Sequence, residues 1–294
     1  MDEFETYRPL LFSIAYRMLG SASEAEDLVQ ETYLRYRLAQ DSEIRSLKSY
    51  LTTIITRLCL DELKSARAQR EEYFGPWLPE PLLTDDAGAA IEQRETVSLA
   101  FLLLLETLTP PERAVFVLHA AFDYPFEEIG EIIDKNAAAC RQLFHRAHLR
   151  LAEHRPRFEA SLEEQQELTA RFLLAAQSGD VHELTEMLAR DVVVWADGGG
   201  KVSAATRPVS GQDRVIRFVQ GLLRKALAGV AISVENVNSA PALLFWTGEK
   251  LLMVGGLRIA DGQIQEIYGI MNPDKLAYFQ RQLQARDGVP SSAP

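Results

Sequence analysis

From Glu3 to Leu38 apolar residues return every three to four positions, the period of a helix buried along one face. The pattern breaks at Gly20-Ser21, and Ser23 is placed to cap a new helix starting at Glu24. Residues 46–69 repeat it, with Ser46 as the cap. From Glu71 to about Gly88 the character changes. Pro76, Pro79 and Pro81 forbid a continuing helix. Tyr73, Phe74 and Trp77 make this a poor free tether, so the linker is expected to lie against other parts of the protein. Helices resume over 90–108 and 111–122, followed by a shorter pair reaching about residue 158.

Beyond that point the period mixes. A helix over 162–178 ends at Gly179-Asp180, and a short one covers 181–189. The β-branched run Asp191–Trp195 reads as a strand, followed by the loop Asp197-Gly198-Gly199-Gly200-Lys201. A helix over 211–228 precedes strands over 231–237, 242–247, 250–259 and 263–270, expected to pair antiparallel. Turn signals at Asn238-Ser239, Gly248-Glu249 and Asp261-Gly262 separate them. A last helix runs from Pro273 to about Leu283, and the small, polar residues 286–294 read as a disordered tail. The chain is therefore multidomain: all-α to about residue 158 and α+β afterwards.

Composition narrows the function. With 294 residues the chain suits two or three modules, and 47% hydrophobic residues supports ordinary cores. Cys59 and Cys140 stand far apart inside helical patterns, which argues against a disulfide framework. The start, MDEFETYRPL, lacks the pattern of a signal peptide, and the longest apolar runs fall far short of a membrane span. The expectation is a soluble cytoplasmic protein. A net charge of −11 discourages nucleic-acid binding, yet the charge is uneven. Arg45, Lys48, Arg57, Lys64, Arg67 and Arg70 face only Asp61 and Glu62 in one segment. Lys135, Arg141, Arg146, Arg150, Arg155 and Arg157 face only Glu153 in another. Two basic helices in an acidic chain fit contact with DNA at two places; solvated helix faces are the plainer alternative.

Face by face, three helices carry candidate chemistry. In 24–36, Ala25, Leu28, Val29, Thr32 and Tyr36 form the inner side, while Asp27, Gln30, Glu31 and Leu34 form an outer stripe fit for docking a protein. In 50–70, Leu51, Ile54, Ile55 and Leu58 face inward. Tyr50, Thr52 and Thr53 are suited to stack on or bond to bases; Arg57, Lys64, Arg67 and Arg70 are suited to phosphates, with Asp61 spaced to pair with Arg57 or Lys64. Thr109-Pro110-Pro111-Glu112 is a helix start. Pro125–Ile133, the turn Asp134-Lys135-Asn136 and Ala137–Leu151 read as a helix-turn-helix. There Ala139, Cys140, Leu143 and Ala147 face the core. Asn136, Ala138, Arg141, Gln142 and His145 point toward base edges, and Arg146 and Arg150 toward phosphates.

The residues Ala25-Glu26-Asp27-Leu28-Val29-Gln30-Glu31-Thr32-Tyr33-Leu34-Arg35 resemble region 2.2 of the extracytoplasmic-function sigma factors. Ser49–Arg70, with Tyr50-Leu51 and Asp61-Glu62-Leu63-Lys64, resembles their regions 2.3–2.4, and Leu108–Leu151 their region 4.2. The resemblance implies sigma region 2 over residues 1–70, a linker over 71–89 and sigma region 4 over 90–158. It implies core RNA polymerase as partner, through the β′ clamp helices and the β flap, with Asp27, Gln30, Glu31 and Leu34 on the clamp. It further implies promoter DNA. Tyr50, Thr53, Arg57, Lys64 and Arg67 would serve the −10 element as flipped single strand; Asn136, Ala138, Arg141, Gln142, His145 and Arg146 would serve the −35 element as duplex.

The order of elements over 159–285 resembles the SnoaL-like branch of the NTF2-like cone fold. Trp77-Leu78-Pro79-Glu80-Pro81, Asp197-Gly198-Gly199-Gly200-Lys201 and Asn272-Pro273-Asp274-Lys275-Leu276 resemble the signature of sigma factors fused to such a domain, the sigma factor J type. That resemblance implies control of sigma activity in cis, with Trp77, Pro79, Glu80, Asp197, Gly199, Lys201, Asn272, Asp274 and Lys275 as the contacts. Lys201 and Lys275 are expected to attract a carboxylate such as Glu80, although Asp274 and Lys275 also fit a simple helix cap and the glycine run a tight turn. Asp197, Trp195, Tyr268 and Trp246 are expected around a cone cavity, where a small molecule is a candidate ligand. His182 is the domain's one histidine, and neither a nucleophile–base pair nor metal-ligand spacing is legible, so the expectation is a non-enzyme without cofactor or metal. A polymerase-independent DNA binder and a cone that converts a small molecule remain the alternatives.

Overall fold

The computed structural model describes residues 3–39, 44–84, 97–154, 160–226 and 229–286. They divide into two compact units: one from residues 3–72, 97 and 101–154, the other from linker residues 73–84 and residues 98–100 and 160–286.

The first unit is helical. α1 (Glu3–Leu19), α2 (Ala22–Leu38) and α3 (Leu47–Glu71) bury Phe4, Leu11, Ile14, Met18, Val29, Leu51 and Ile55 against one another. Ser21, rather than Ser23, caps α2: its Oγ accepts the Glu24 N–H at 3.2 Å. Gly20, in the left-handed region, already supplies the turn, so the helix starts two residues earlier than the pattern indicates. Ser46 does cap α3, accepting from the Ser49 N–H.

α4 (Leu99–Leu105), α5 (Pro110–Phe116), α6 (Phe126–Ile133) and α7 (Ala137–His154) follow, α5 continuing into a short π-helix over Val117–Ala121. The Glu112 carboxylate starts α5 by accepting from the Thr109 N–H and hydroxyl. Arg113, almost wholly buried, donates to the carbonyls of Met18 and Leu105 and to Glu106. One guanidinium thus ties α1 to the α4–α5 corner. Between α6 and α7 the chain turns through Asp134 in the left-handed region, and a Cβ on Gly130 would stand 2.5 Å from the Lys135 carbonyl oxygen. Only glycine lets the turn close over α6.

The second unit is α+β. α8 (Leu162–Ser178) and α9 (Val181–Met187) lead into β1 (Leu188–Asp197), so the second helix stops two residues earlier and the strand runs longer than expected. β2 (Val209–Ser210), α10 (Gln212–Ala226), β3 (Ala231–Val237), β4 (Ala240–Thr247), β5 (Lys250–Ala260), β6 (Gln263–Ile270) and α11 (Pro273–Arg286) complete it. The sheet order is β2-β1-β6-β5-β4-β3. β3 to β6 form an antiparallel meander as expected, whereas β1 pairs parallel with β6. The register shifts where β1 meets β6, β4 meets β5 and β5 meets β6, with the extra residues in β1, β5 and β6, irregularities of the kind that bend a sheet. One face carries the core: Phe172, Leu184, Met187, Val194, Val215, Val219, Leu243 and Phe245 pack between sheet and α8–α10. The helix portion expected over residues 90–96, and the tail after Arg286, lie outside the described residues.

Candidate DNA-reading helices and a buried carboxylate clasp

On α2, Asp27, Gln30 and Leu34 are exposed, Leu34 to 56%, and Glu31 is half-buried in an i, i+4 pair with Arg35. A leucine that open, beside a carboxylate and an amide, is available to a partner.

The α3 residues are more constrained than their sequence suggests. Thr52, expected near bases, is fully buried and shares a 2.9 Å hydrogen bond with the Tyr124 hydroxyl. Thr53 donates to the Ser49 carbonyl. Arg57 donates to the carbonyls of Ile132 and Glu131, neutralising the C-terminal end of α6. Its guanidinium is thus anchored on one edge, while the residue as a whole is exposed. Lys64 pairs with Asp61, and Tyr50 is half-buried. Arg67 lies in α3, but its side chain is outside the described residues.

α7 buries Cys140, Leu143 and Ala147 and exposes Asn136, Ala138, Arg141, Gln142, His145 and Arg146. Asn136 accepts the Ala139 N–H and so caps the helix it opens. Arg141 reaches Glu127, while Arg146 and Arg150 both reach the buried Glu112. These cations are held in fixed directions by carboxylates, with their outer edges open. The charge pattern along the sequence concealed this, because Glu112 is distant along the chain from Arg146 and Arg150.

In the second unit, Asp197 is fully buried at the end of β1. Its carboxylate accepts from the Tyr73 hydroxyl at 2.6 Å, the Leu78 N–H at 2.9 Å, the Gly199 N–H at 3.0 Å and Lys275 Nζ at 2.7 Å. Lys275 also donates to the Leu78 carbonyl and lies 4.2 Å from the Trp77 ring centre and 5.0 Å from that of Tyr73. Asn272 donates to the Tyr73 hydroxyl and caps α11 by accepting the Asp274 N–H. Burial, then the hydrogen bond to Asp197, pushes the Tyr73 phenol above its ordinary range. Gly199 sits at φ 58°, and a Cβ there would stand 2.3 Å from Asn272 Nδ2, so no other residue fits. Further on, Leu82, Leu83 and Thr84 bond to Asn238, Gln282 and Asn236, covering the β3 edge. The segment 73–84 is thus strapped to the sheet.

Two expectations are corrected here. Lys201 pairs with Asp274 rather than with Glu80, and the carboxylate at Lys275 is Asp197. Glu80 is itself buried within the strap, as is Pro79, while Trp77 is half-buried over Lys275. Nor do Trp195, Asp197 and Trp246 line the cone cavity; Tyr268 does, together with Val194 and Ala196. Side chains alternate along β1, so Asp197, next to Ala196, takes the opposite face and meets the strap. Tyr73 was missed as a member of this cluster; its aromatic character ahead of Trp77 was the available signal. Among the described residues no cluster of His, Cys, Asp and Glu fits a metal ion, and no helix is long and apolar enough to cross a membrane.

The chain matches the family models for Sigma-70 region 2 over residues 4–69 and Sigma-70 region 4 over residues 98–151. It is 35% identical to the ECF RNA polymerase sigma factor SigJ of Mycobacterium tuberculosis, over 94% of this chain and 92% of that protein. It is 33% identical to the probable ECF sigma factor SigI of the same species, over 93% of each chain. The crystal structure of Mycobacterium tuberculosis SigJ superposes with a TM-score of 0.75 at 32% identity, covering 94% of this chain and 97% of that one. Helical Sigma-70 parts followed by an α+β domain, together with these identities, place the protein: it belongs to the extracytoplasmic-function RNA polymerase sigma factors.

Proposed function

We propose that this sigma factor docks core RNA polymerase through the Asp27, Gln30, Glu31 and Leu34 stripe on the β′ clamp helices. Its region 4 half meets the β flap. α3 serves the −10 element with Tyr50, Thr53, Arg57, Lys64 and Arg67; α7 serves the −35 element with Asn136, Ala138, Arg141, Gln142, His145 and Arg146. Arg57 is steadied by its bonds to the end of α6 and keeps its remaining donors for the −10 strand. The cytoplasm, where polymerase and promoter are found, is the compartment this reading requires.

The C-terminal domain regulates this activity in cis. The carrying observation is the Asp197 clasp, which fastens to the cone the same segment that joins the two Sigma-70 parts in sequence. A fastened strap shortens the free tether between two DNA-reading modules and restricts the spacings they can span. Trp77, Pro79, Glu80, Gly199, Lys201, Asn272 and Asp274 support the clasp around Asp197 and Lys275.

The cone itself is read as a ligand site without chemistry of its own. Among the described residues, those lining its cavity include neither a carboxylate nor an imidazole to move a proton.

Transcription in vitro with core polymerase tests the regulatory reading. Releasing the strap by Tyr73→Phe, and more fully by Asp197→Ala, should raise initiation and broaden the accepted spacer lengths. Identical rates and spacer preferences for all three proteins would defeat it, and absence of initiation by the full chain at its own promoter would defeat the docking assignment.

A further inference from the structure

The core-bearing face of the sheet, the helices α8 and α10 and residues 203–205 line a partly open cavity of about 510 Å³. That lies within the usual span of small-molecule sites, about 300–1,000 Å³. Its wall is mostly apolar, with Phe172, Leu243, Phe245, Met253 and Leu257 contributing side chains. A trapped water molecule needs two to four polar partners, and this wall offers few. The Tyr268 hydroxyl is already given to Glu266, which also holds Arg258. Burial keeps the Tyr268 phenol protonated far above its ordinary range, so it brings no charge to the wall.

Two residues of α10 add detail. Gly221 lines the cavity inside the helix, and among the described residues a Cβ built there meets nothing within 4 Å. Glycine weakens a helix interior relative to alanine, and packing against the described residues gives no reason for it here. The position keeps space open. One turn earlier, Arg217 also lines the cavity and is exposed, and it forms no ion pair among the described residues. Residues four apart share a helix face, so a cation and a gap stand together at one wall of an apolar chamber.

From this juxtaposition we propose that the cone binds a single-chain amphiphile with an acyl tail and a carboxylate head, the tail against Leu243, Met253 and Leu257 and the head on Arg217. A guanidinium takes a carboxylate through paired, charge-assisted hydrogen bonds that an alcohol cannot match. The proposal rests on the reading of the cone as a ligand site and adds the chemistry of its occupant.

The test is isothermal titration of the full chain with dodecanoate and dodecanol below their aggregation limits, in the native sequence and in Arg217→Gln, Gly221→Leu and Leu257→Trp. Saturable one-to-one binding of dodecanoate is expected. Arg217→Gln should weaken dodecanoate by about tenfold while leaving dodecanol unchanged. Gly221→Leu, which fills the chamber and favours the helix, should abolish both without lowering the melting temperature; Leu257→Trp should do the same from the opposite wall. If dodecanol binds as well as dodecanoate and Arg217→Gln alters neither, the carboxylate assignment is overturned and the ligand site survives. If neither probe binds the native chain, or if binding persists in both filled variants, the cavity assignment falls as well.

Discussion

Asp197→Ala is the sharpest perturbation available, because it removes the centre of the clasp and leaves its partners behind. The native carboxylate is fully buried and accepts four hydrogen bonds, one from the buried Lys275 ammonium. Deleting one partner of a buried pair typically costs about 3–5 kcal/mol, since the other charge stays buried without compensation. Lys275 would keep the Leu78 carbonyl and the Trp77 and Tyr73 rings, whose attraction for a desolvated cation is worth up to about 2 kcal/mol. That retained stabilisation places the expected loss near the lower end, about 3 kcal/mol. Lys275→Met in the Asp197→Ala background removes the orphaned charge, so the double variant should be about 2 kcal/mol more stable than the sum of the singles. A chain of several domains need not unfold in two states, so native-state hydrogen exchange at the Leu78 and Gly199 amides is the preferred assay. Unchanged Leu78 protection in Asp197→Ala, or strict additivity in the double variant, refutes the clasp as an energetic unit.

Three further outcomes are expected. Asp27→Ala with Glu31→Ala lies on an exposed stripe, so stability should move by less than about 0.5 kcal/mol, while core-polymerase retention in a pull-down is lost; retention equal to the native chain overturns the docking face. Thr52→Val orphans the buried Tyr124 hydroxyl and Arg57→Ala frees the end of α6, so each should lose about 1 kcal/mol in urea titration, but only Arg57→Ala should impair permanganate-detected promoter opening, and equal impairment by both would remove Arg57 from the DNA. Burial raises the phenols of Tyr73, Tyr124 and Tyr268, with hydrogen bonds to Asp197 and Glu266 adding to the first and last. A folded-state pKa above the unfolded one gives stability that is complete below about pH 10 and lost as pH rises beyond it. Arg17, which burial pulls down to about 10, acts in the opposite sense over the same range, but the thiols of Cys59 and Cys140, also raised by burial, act with the three phenols and leave a net loss; a urea midpoint that climbs above pH 10 would contradict this balance.

The sequence by itself determined the division into an all-α part and an α+β part, the order of elements, and the outward faces of α2 and α7. These follow from short-range rules: a helix repeats every 3.6 residues, a strand every two, and prolines or glycines punctuate both. Asn136 and Arg141 could be placed on the open side of α7 because Cys140, Leu143 and Ala147 fix the buried side. Tertiary structure alone decided which polar groups meet. Arg57 turns to the carbonyls of Glu131 and Ile132, Arg146 and Arg150 to Glu112, and Lys275 to Asp197 instead of Glu80. It also sent Asp197 to the strap and away from the cavity, through the alternation and pairing of β1. The physical reason is that charge pairing depends on three-dimensional distance and desolvation, and neither is encoded in local periodicity. A buried carboxylate takes whichever donors the fold brings within reach: here Tyr73 and Leu78 of the strap, Gly199 of the loop that follows β1, and Lys275 of α11.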